Sequence, residues 1–368
     1  MAYVAVRGGR EAIDASIERL ESFRRMQPDG LRQLVDQVMS EASLYDEEVA
    51  RLAILQAEGS PEEAVFLLRA YRSTLARSHR SRVADTREMF VERRISASFK
   101  DIPGGQILGA SPDYSHRLIN FDLLDEDDDE RERWLDDYRH RLQHSEVDNG
   151  GDPLILERLP KVVDYLRSEG LMVSHEQDDL EPRDVTKEGL VFPTARSSRL
   201  QVLTRGQTGA VTALGYASLR GWGSGSVHPT VGELRVGLLP ISVSNGVNDD
   251  PDDSYYIGEI RVTEVETFIP VSVDLGHGKH QMEFEIGYGL CYGQNETKTI
   301  SMSLLDHNLE AVDDRFPTHD QEFVLFHVDS VEATGFISHL KLPHYVTFQA
   351  KLDSLRRIRT EKESSNEA

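Results

Sequence analysis

At 368 residues with 39% hydrophobic side chains, the chain is long enough to bury a sizeable core and reads as globular, not disordered. Its 41 Lys and Arg face 64 Asp and Glu, and a net charge of −23 argues against non-specific nucleic-acid binding, which needs a basic footprint. No apolar run approaches the ~18 residues of a membrane span, and the N-terminus has no apolar signal core, so a soluble, cytoplasmic chain without membrane contact is expected. A single cysteine, Cys291, cannot form an internal disulfide and fits a reducing compartment. Arg supplies 33 of the 41 cations, and such acidity with Arg over Lys is expected of a protein in a salt-rich cytoplasm, where screening mutes self-repulsion.

In the first ~80 residues, apolar side chains recur at helical spacing over 12–26, 31–43, 46–59 and 60–78. Ser60 and Glu63 make a capping box with Pro61 at the first helical position, and Gly59 closes the segment before. The texture changes at "FVERRISASFKDIPGGQILG" (90–109). Residues 122–153 are charge-dense, a solvated insertion or linker with some helical character around Trp134. A short helix ending at Gly170 is predicted in "LILERLPKVVDYLRSEG". Glycine-punctuated runs follow: "GAVTALGYASLRGWG", "VGELRVGLLPISV", "YYIGEIRVTEVETFIPV" and "HQMEFEIGYGLCYG". Their alternating or β-branched residues predict strands. Residues 295–311 read as a helix opening at Asn295. "EFVLFHVDSVEATGFISHL" reads as a strand, a helical turn and another short element, and a helix, "YVTFQAKLDSLRRIRTEKE", closes the chain. The expected class is α+β: a helical N-terminal region (1–120), an acidic linker or insertion (121–153), and a mixed, strand-rich region with a C-terminal helix (154–368).

Several stretches could carry chemistry. "KDIPGGQILG" holds a Pro-Gly-Gly turn, either an ordinary turn or a place where a ligand nears the backbone. It is neither a P-loop nor a dinucleotide fingerprint. "TARSSRLQVLTRG" gathers Arg196, Ser197, Ser198, Arg199 and Arg205, and Arg93/Arg94 and Arg69/Arg72 make two further basic spots in an acidic chain. Guanidinium forks bind phosphate oxygens bidentately, so these suit a phosphate chain; salt-bridged surface is the alternative reading of each. "GWGSGS" does not match a serine-hydrolase elbow, and no standard zinc signature occurs. In "FISHLKLPHYVTFQ", His339 and His344 stand five apart. On a helix that spacing turns them ~140° from each other, and on a strand it puts them on opposite faces. Pro343 breaks the run, so a new helix is expected near Tyr345, and only a bent backbone could bring both imidazoles to one ion. His327 lies twelve residues before His339.

Taken in order, "YVAVRGGREAIDA", "EEAVFLLRAYRSTLAR", "ERRISASFKDIPGGQILG" with "DYSHRL", "ARSSRLQVLTRG" and "DQEFVLFHVDSVEATGFISHLKLPHYVTFQAKL" resemble one family over nearly the whole chain: the I subunit of the carbon–phosphorus lyase core complex. The acidic stretch at 125–152 looks peculiar to this sequence. The resemblance implies an enzyme of phosphonate breakdown that works with sister subunits to replace the adenine of ATP by methylphosphonate, giving α-D-ribose 1-methylphosphonate 5-triphosphate. Alone, such a protein splits purine nucleoside triphosphates. The resemblance also implies a two-fold complex to which this chain contributes a homodimeric pair, with a radical iron–sulfur partner that cleaves the C–P bond. It makes His339 and His344 a metal-binding pair at the boundary with that partner. An ion shared by the two would take further ligands from His327, substrate or the neighbouring subunit, with Zn²⁺-like affinity expected only in the assembled complex. Displacing a purine at C1′ passes through an oxocarbenium-like state that needs a nearby carboxylate and a clamp for the triphosphate. Asp101 and Glu233 are the carboxylate candidates; Arg93, Arg94, Arg196, Ser198, Arg199 and Arg205, with Mg²⁺, are the clamp. The alternative is a scaffold that positions the radical partner and has no active site of its own.

Overall fold

The computed structural model describes residues 9–26, 30–124, 127–144, 159–174, 181–222, 228–244, 254–274, 276–311 and 315–366. Residues 145–153 of the acidic segment and 223–227 of the "GWGSGS" stretch lie outside them. The chain forms two compact units, residues 1–329 and 330–368. The mixture is α+β, as expected. Among the described residues no helix is long and apolar enough to cross a membrane.

The first unit opens with α1 (Arg10–Met26), α2 (Arg32–Ala42), α3 (Glu47–Gln56) and α4 (Pro61–Thr74). Their starts follow the capping chemistry: Asp46 accepts from the Val49 amide, and Ser60 accepts from the Glu63 amide with Pro61 in the first turn. Val38, Met39 and Ala42 of α2 and Ala64, Val65 and Leu68 of α4 are all buried. The charge-dense segment contains α5 (Asp128–His144), and α6 (Val162–Ser168) ends before Gly170, which takes φ +69°.

An antiparallel sheet of β1 (Phe90–Ile95), β2 (Thr230–Ser244), β3 (Ser254–Asp274) and β4 (His280–Tyr292) runs in chain order. Its register pairs Leu234 with Val265, Arg235 with Glu264 and Glu233 with Glu266. Alternation therefore gives the sheet two unlike faces. Leu234, Val236 and Val265 meet α9 (Glu296–Asn308) through Ile300. Gly287 and Gly289 of β4 let α9 lie directly on the strand: a Cβ there would stand 2.1 Å from the Ser303 carbonyl oxygen and 2.3 Å from that of Thr299. The opposite face carries Glu233, Arg235, Glu264 and Glu266, all buried, together with Phe268 packed on Val162, Val163 and Leu166 of α6.

Two predicted strands are helices. "GAVTALGYASLRGWG" contains α8 (Thr208–Ala217), and "EFVLFHV" lies in α10 (Gln321–His327). The Val, Thr, Tyr and Gly content of α8 suggests a strand, but Gly215 packs so closely on α9 that an added Cβ would meet Ser301 Cβ at 2.7 Å. In α10, Asp320 caps the Phe323 amide, and Val324 and Leu325 enter the cluster built on Leu203, Val211 and Met302. α7 (Arg196–Arg205) completes this side of the unit. The second unit is α11 (Ser330–His339), a tight turn, and α12 (Tyr345–Asn366), which begins at the predicted residue.

Candidate functional site

The bend between α11 and α12 is built residue by residue. Leu340 N donates to Ile337 O at 3.1 Å and Leu342 N to His339 O at 3.0 Å, closing α11 into a turn. Pro343 supplies no amide, and Phe348 N donates to His344 O at 2.9 Å, opening the next helix. The result brings the two imidazoles together, with ring centroids 4.9 Å apart and planes at 71°. Two imidazoles on one Zn²⁺, with Zn–N near 2.0–2.1 Å and tetrahedral geometry, have ring centres about 5 Å apart. The centroid separation matches that value. Both residues are exposed. Among the described residues no group of three or more His, Cys, Asp or Glu is placed to hold an ion. His327 belongs to the first unit, where its Nδ1 lies 2.6 Å from Phe323 O and its ring packs on Phe323.

The arginine candidates separate into engaged and unengaged groups. Arg93 binds Asp113 at 2.7 Å and Glu296 at 3.0 Å. Arg94, fully buried, binds Glu233 at 2.5 Å and donates to the carbonyls of Pro103 and Pro160, and so holds the Pro-Gly-Gly turn in place. Arg196 binds Asp306 at 2.6 Å, and Arg199 pairs with Glu310. Ser198 is buried and lines a cavity of about 250 Å³ with Pro193 and Thr194. Arg205 is different: among the described residues it has no carboxylate partner and donates to Ser43 Oγ at 3.0 Å. Burial and the neighbouring Arg69 and Arg72 lower its pKa to about 10, partly opposed by Asp329, which leaves it charged at neutral pH. Arg69 itself grips Asp329 at 2.7 and 2.9 Å, while Arg72 has no ion-pair partner among the described residues. Arg196 and Arg199 sit at the start of α7 and Arg205 at its end, so the "RSSRLQVLTR" stretch spreads along the helix by about 13 Å instead of converging.

Of the two carboxylate candidates, Glu233 is buried, accepting from Arg94 Nε and, at 3.0 Å, from the Val162 amide. Asp101 is exposed beside the Pro-Gly-Gly turn, with no hydrogen-bond partner among the described residues. The structure adds a group that no motif announces. Glu264 accepts from Arg235 at 2.6 Å, Lys161 at 2.8 Å, Thr86 Oγ1 at 2.6 Å and Tyr288 Oη at 3.0 Å. Burial pushes its carboxyl up, but Arg235 and Lys161 outweigh burial and bring the pKa to about 2. Glu266 shares Lys161 at 2.8 Å, yet burial and the nearby Glu264 charge hold its pKa above the usual range. Its second oxygen has no partner among the described residues. Burial, then Glu264, raises the Tyr288 phenol well above its ordinary value. The signal for this group is alternation: Glu and Arg at i, i+2 in "GELRV" and Glu at i, i+2 in "TEVET" place charges on one face of two neighbouring strands.

The family model described as "Bacterial phosphonate metabolism protein (PhnI)" matches residues 2–362. The chain belongs to this family. Two relatives carry the name "Alpha-D-ribose 1-methylphosphonate 5-triphosphate synthase subunit PhnI". The one from Escherichia coli (strain K12) is 41% identical over 381 residues, 98% of this chain and 99% of its own. The one from Rhizobium meliloti (strain 1021) is 41% identical over 391 residues, 99% of this chain and 96% of its own. The histidine turn, the arginines and the charged sheet face all fall within the region that the family model matches.

Proposed function

We propose that this chain is the glycosyl-transferring subunit of a carbon–phosphorus lyase core complex. In this reading it displaces the adenine of ATP by methylphosphonate to give α-D-ribose 1-methylphosphonate 5-triphosphate, and alone it splits purine nucleoside triphosphates to base and ribose 5-triphosphate. The observation that carries the reading is similarity over nearly the whole chain to relatives named as subunits of that synthase. Geometry supplies candidate parts. Arg205, with Arg72 beside it, offers guanidinium donors not held by carboxylates among the described residues, and so leads the triphosphate clamp, with Mg²⁺ on the nucleotide sharing the charge. Arg93, Arg94, Arg196 and Arg199 position loops through the pairs described above, and could reach phosphate only by exchanging partners. Asp101 is the carboxylate free to stabilise positive charge developing at C1′; Glu233 would first have to leave Arg94. His339 and His344 would hold a Zn²⁺ at the contact with the radical iron–sulfur partner, where a bound ion supplies Lewis acidity to a substrate oxygen.

The test is release of free adenine from ATP and Mg²⁺ by the purified chain in high salt, followed by chromatography, with a second reaction containing sister subunits and methylphosphonate. Adenine in the first reaction is expected, and Arg205→Gln should raise KM for ATP about tenfold or more, the loss of one charge-assisted contact. The second reading is a scaffold subunit, favoured by the exposed apolar side chains Phe336, Ile337, Leu340, Tyr345, Val346 and Phe348 of the second unit, a surface suited to a partner chain. Adenine only in the second reaction would favour it. The acidic, Arg-rich composition is read as adaptation to a salt-rich cytoplasm; equal folding and solubility in dilute buffer and molar salt would overturn that.

A further inference from the structure

The cavity of about 250 Å³ lies between the 183–195 segment and the first turn of α7. Val185, Leu190 and Pro193 give it apolar walls. Ser198, which also lines it, is 5% exposed, and its hydroxyl has no hydrogen-bond partner among the described residues. A hydroxyl buried in that state is costly unless something comes to meet it. Arg183 and Glu188 add one charge of each sign to the lining, both exposed, with their closest N and O atoms 4.0 Å apart, too far for a hydrogen bond. Neither side chain has another partner among the described residues, so a donor and an acceptor stand side by side with their hydrogen bonds unmade. A net-charged ligand gains at one of these groups and loses at the other. A neutral ring with adjacent donors and acceptors gains at both.

The helix relates this cavity to Arg205. Ser198 and Arg205 stand seven residues apart on α7, which puts them on one face, about 10 Å apart along the axis. Asp184, between the lining residues Arg183 and Val185, raises the Arg205 pKa through its charge, so the cavity wall and that guanidinium are neighbours. We propose that the cavity holds the purine base of a nucleotide, with Ser198 Oγ and the Arg183–Glu188 pair bonding the edge of the base and the phosphates running along α7 to Arg205. The volume admits a two-ring base but not a whole nucleoside triphosphate, so the sugar and phosphates lie outside it. The choice of a purine among flat neutral rings, and the run to Arg205, rest on the proposed function. A site for a neutral base rests on the cavity, Ser198 and the Arg183–Glu188 pair.

The experiment titrates the purified full-length chain in high salt, by calorimetry, with adenine, with uracil and with an ATP analogue whose carbocyclic sugar cannot form an oxocarbenium ion. Adenine is expected to bind with a Kd of about 1 mM or tighter, about tenfold tighter than uracil, and in competition with the analogue. Ser198→Ala is the deciding variant, because the hydroxyl it removes makes no hydrogen bond among the described residues. Its Tm should be unchanged and its adenine binding weakened about fivefold, the loss of one hydrogen bond to the ligand. Arg205→Gln should weaken the analogue and leave adenine unaffected. No adenine binding, equal binding of uracil, or unchanged adenine binding by Ser198→Ala overturns the base site. Adenine and the analogue bound at once, without competition, overturns the shared nucleotide site. Adenine release from ATP is followed in parallel: adenine binding that depends on Ser198, without release, sinks the proposed reaction and leaves the base site standing, and release without adenine binding does the reverse.

Discussion

The two faces of the sheet are buried by opposite means. Against α9 the contact is made by removal of side chains: Gly287 and Gly289 admit the helix backbone, and Leu234, Val236 and Val265 fill what remains. On the other face the same strands bury Glu233, Arg235, Glu264 and Glu266, with Lys161 brought in beside α6. An apolar face tolerates modest repacking, whereas a buried charge network holds only while each charge keeps its partners. The difference locates where this fold is rigidly specified.

The largest effect should come from breaking the charged face at its centre. Glu264→Gln leaves Arg235 and Lys161 short of a shared counter-charge and should cost about 3–5 kcal/mol in urea unfolding. On the glycine face, Gly287→Ala puts a methyl group against the Ser303 carbonyl, a backbone atom that moves only with α9, and should cost about 2–3 kcal/mol. The smallest effect is expected at Glu266. Glu266→Gln keeps an acceptor for Lys161, removes a like charge from beside Glu264, and should change stability by no more than about 1 kcal/mol, measured at about pH 8.

Acid titration sharpens the same contrast. Glu264 has a folded pKa of about 2 against an ordinary 4.5, so its contribution is complete above about 4.5 and is lost as pH falls towards 2. Glu266, with a raised folded pKa, acts in the opposite sense: its burial is favoured below its ordinary value and disfavoured as pH rises through the folded one. Unfolding free energies between about pH 5 and 3 should therefore fall less steeply in Glu264→Gln than in the native chain; an identical slope would remove Glu264 from the acid limb. For the histidine pair, zinc binding should appear in the assembled complex and be lost in His344→Ala. Full occupancy of the isolated chain, undiminished by that substitution, would contradict a shared site.

What was legible in the sequence is what local chemistry decides. Ser60 marks a helix start through a hydrogen bond to the Glu63 amide, with Pro61 in the first turn, and Pro343 marks the opening of α12. α8 was not legible, because its β-rich composition is overruled by the fit of Gly215 and Val211 against a helix some ninety residues later. The arginines were legible as charges but not as partners: nothing local distinguishes Arg199, paired with Glu310, from Arg205, which has no carboxylate among the described residues. The histidine pair was legible through the family resemblance and not through spacing. Their spacing opposes a pair in any regular element, and the turn that nonetheless joins them is made by backbone hydrogen bonds.

That turn sets the spacing of the His339 and His344 rings, so the proposed metal pair would have its bite built into the backbone. Both side chains are placed by one short stretch of backbone, so an ion captured by one would meet the other without a long search. It follows that the pair should be portable. A peptide reproducing α11, the turn and α12 would have the donors in hand, and one residue inserted between Leu340 and Pro343 would open the bite while leaving both histidines in the chain.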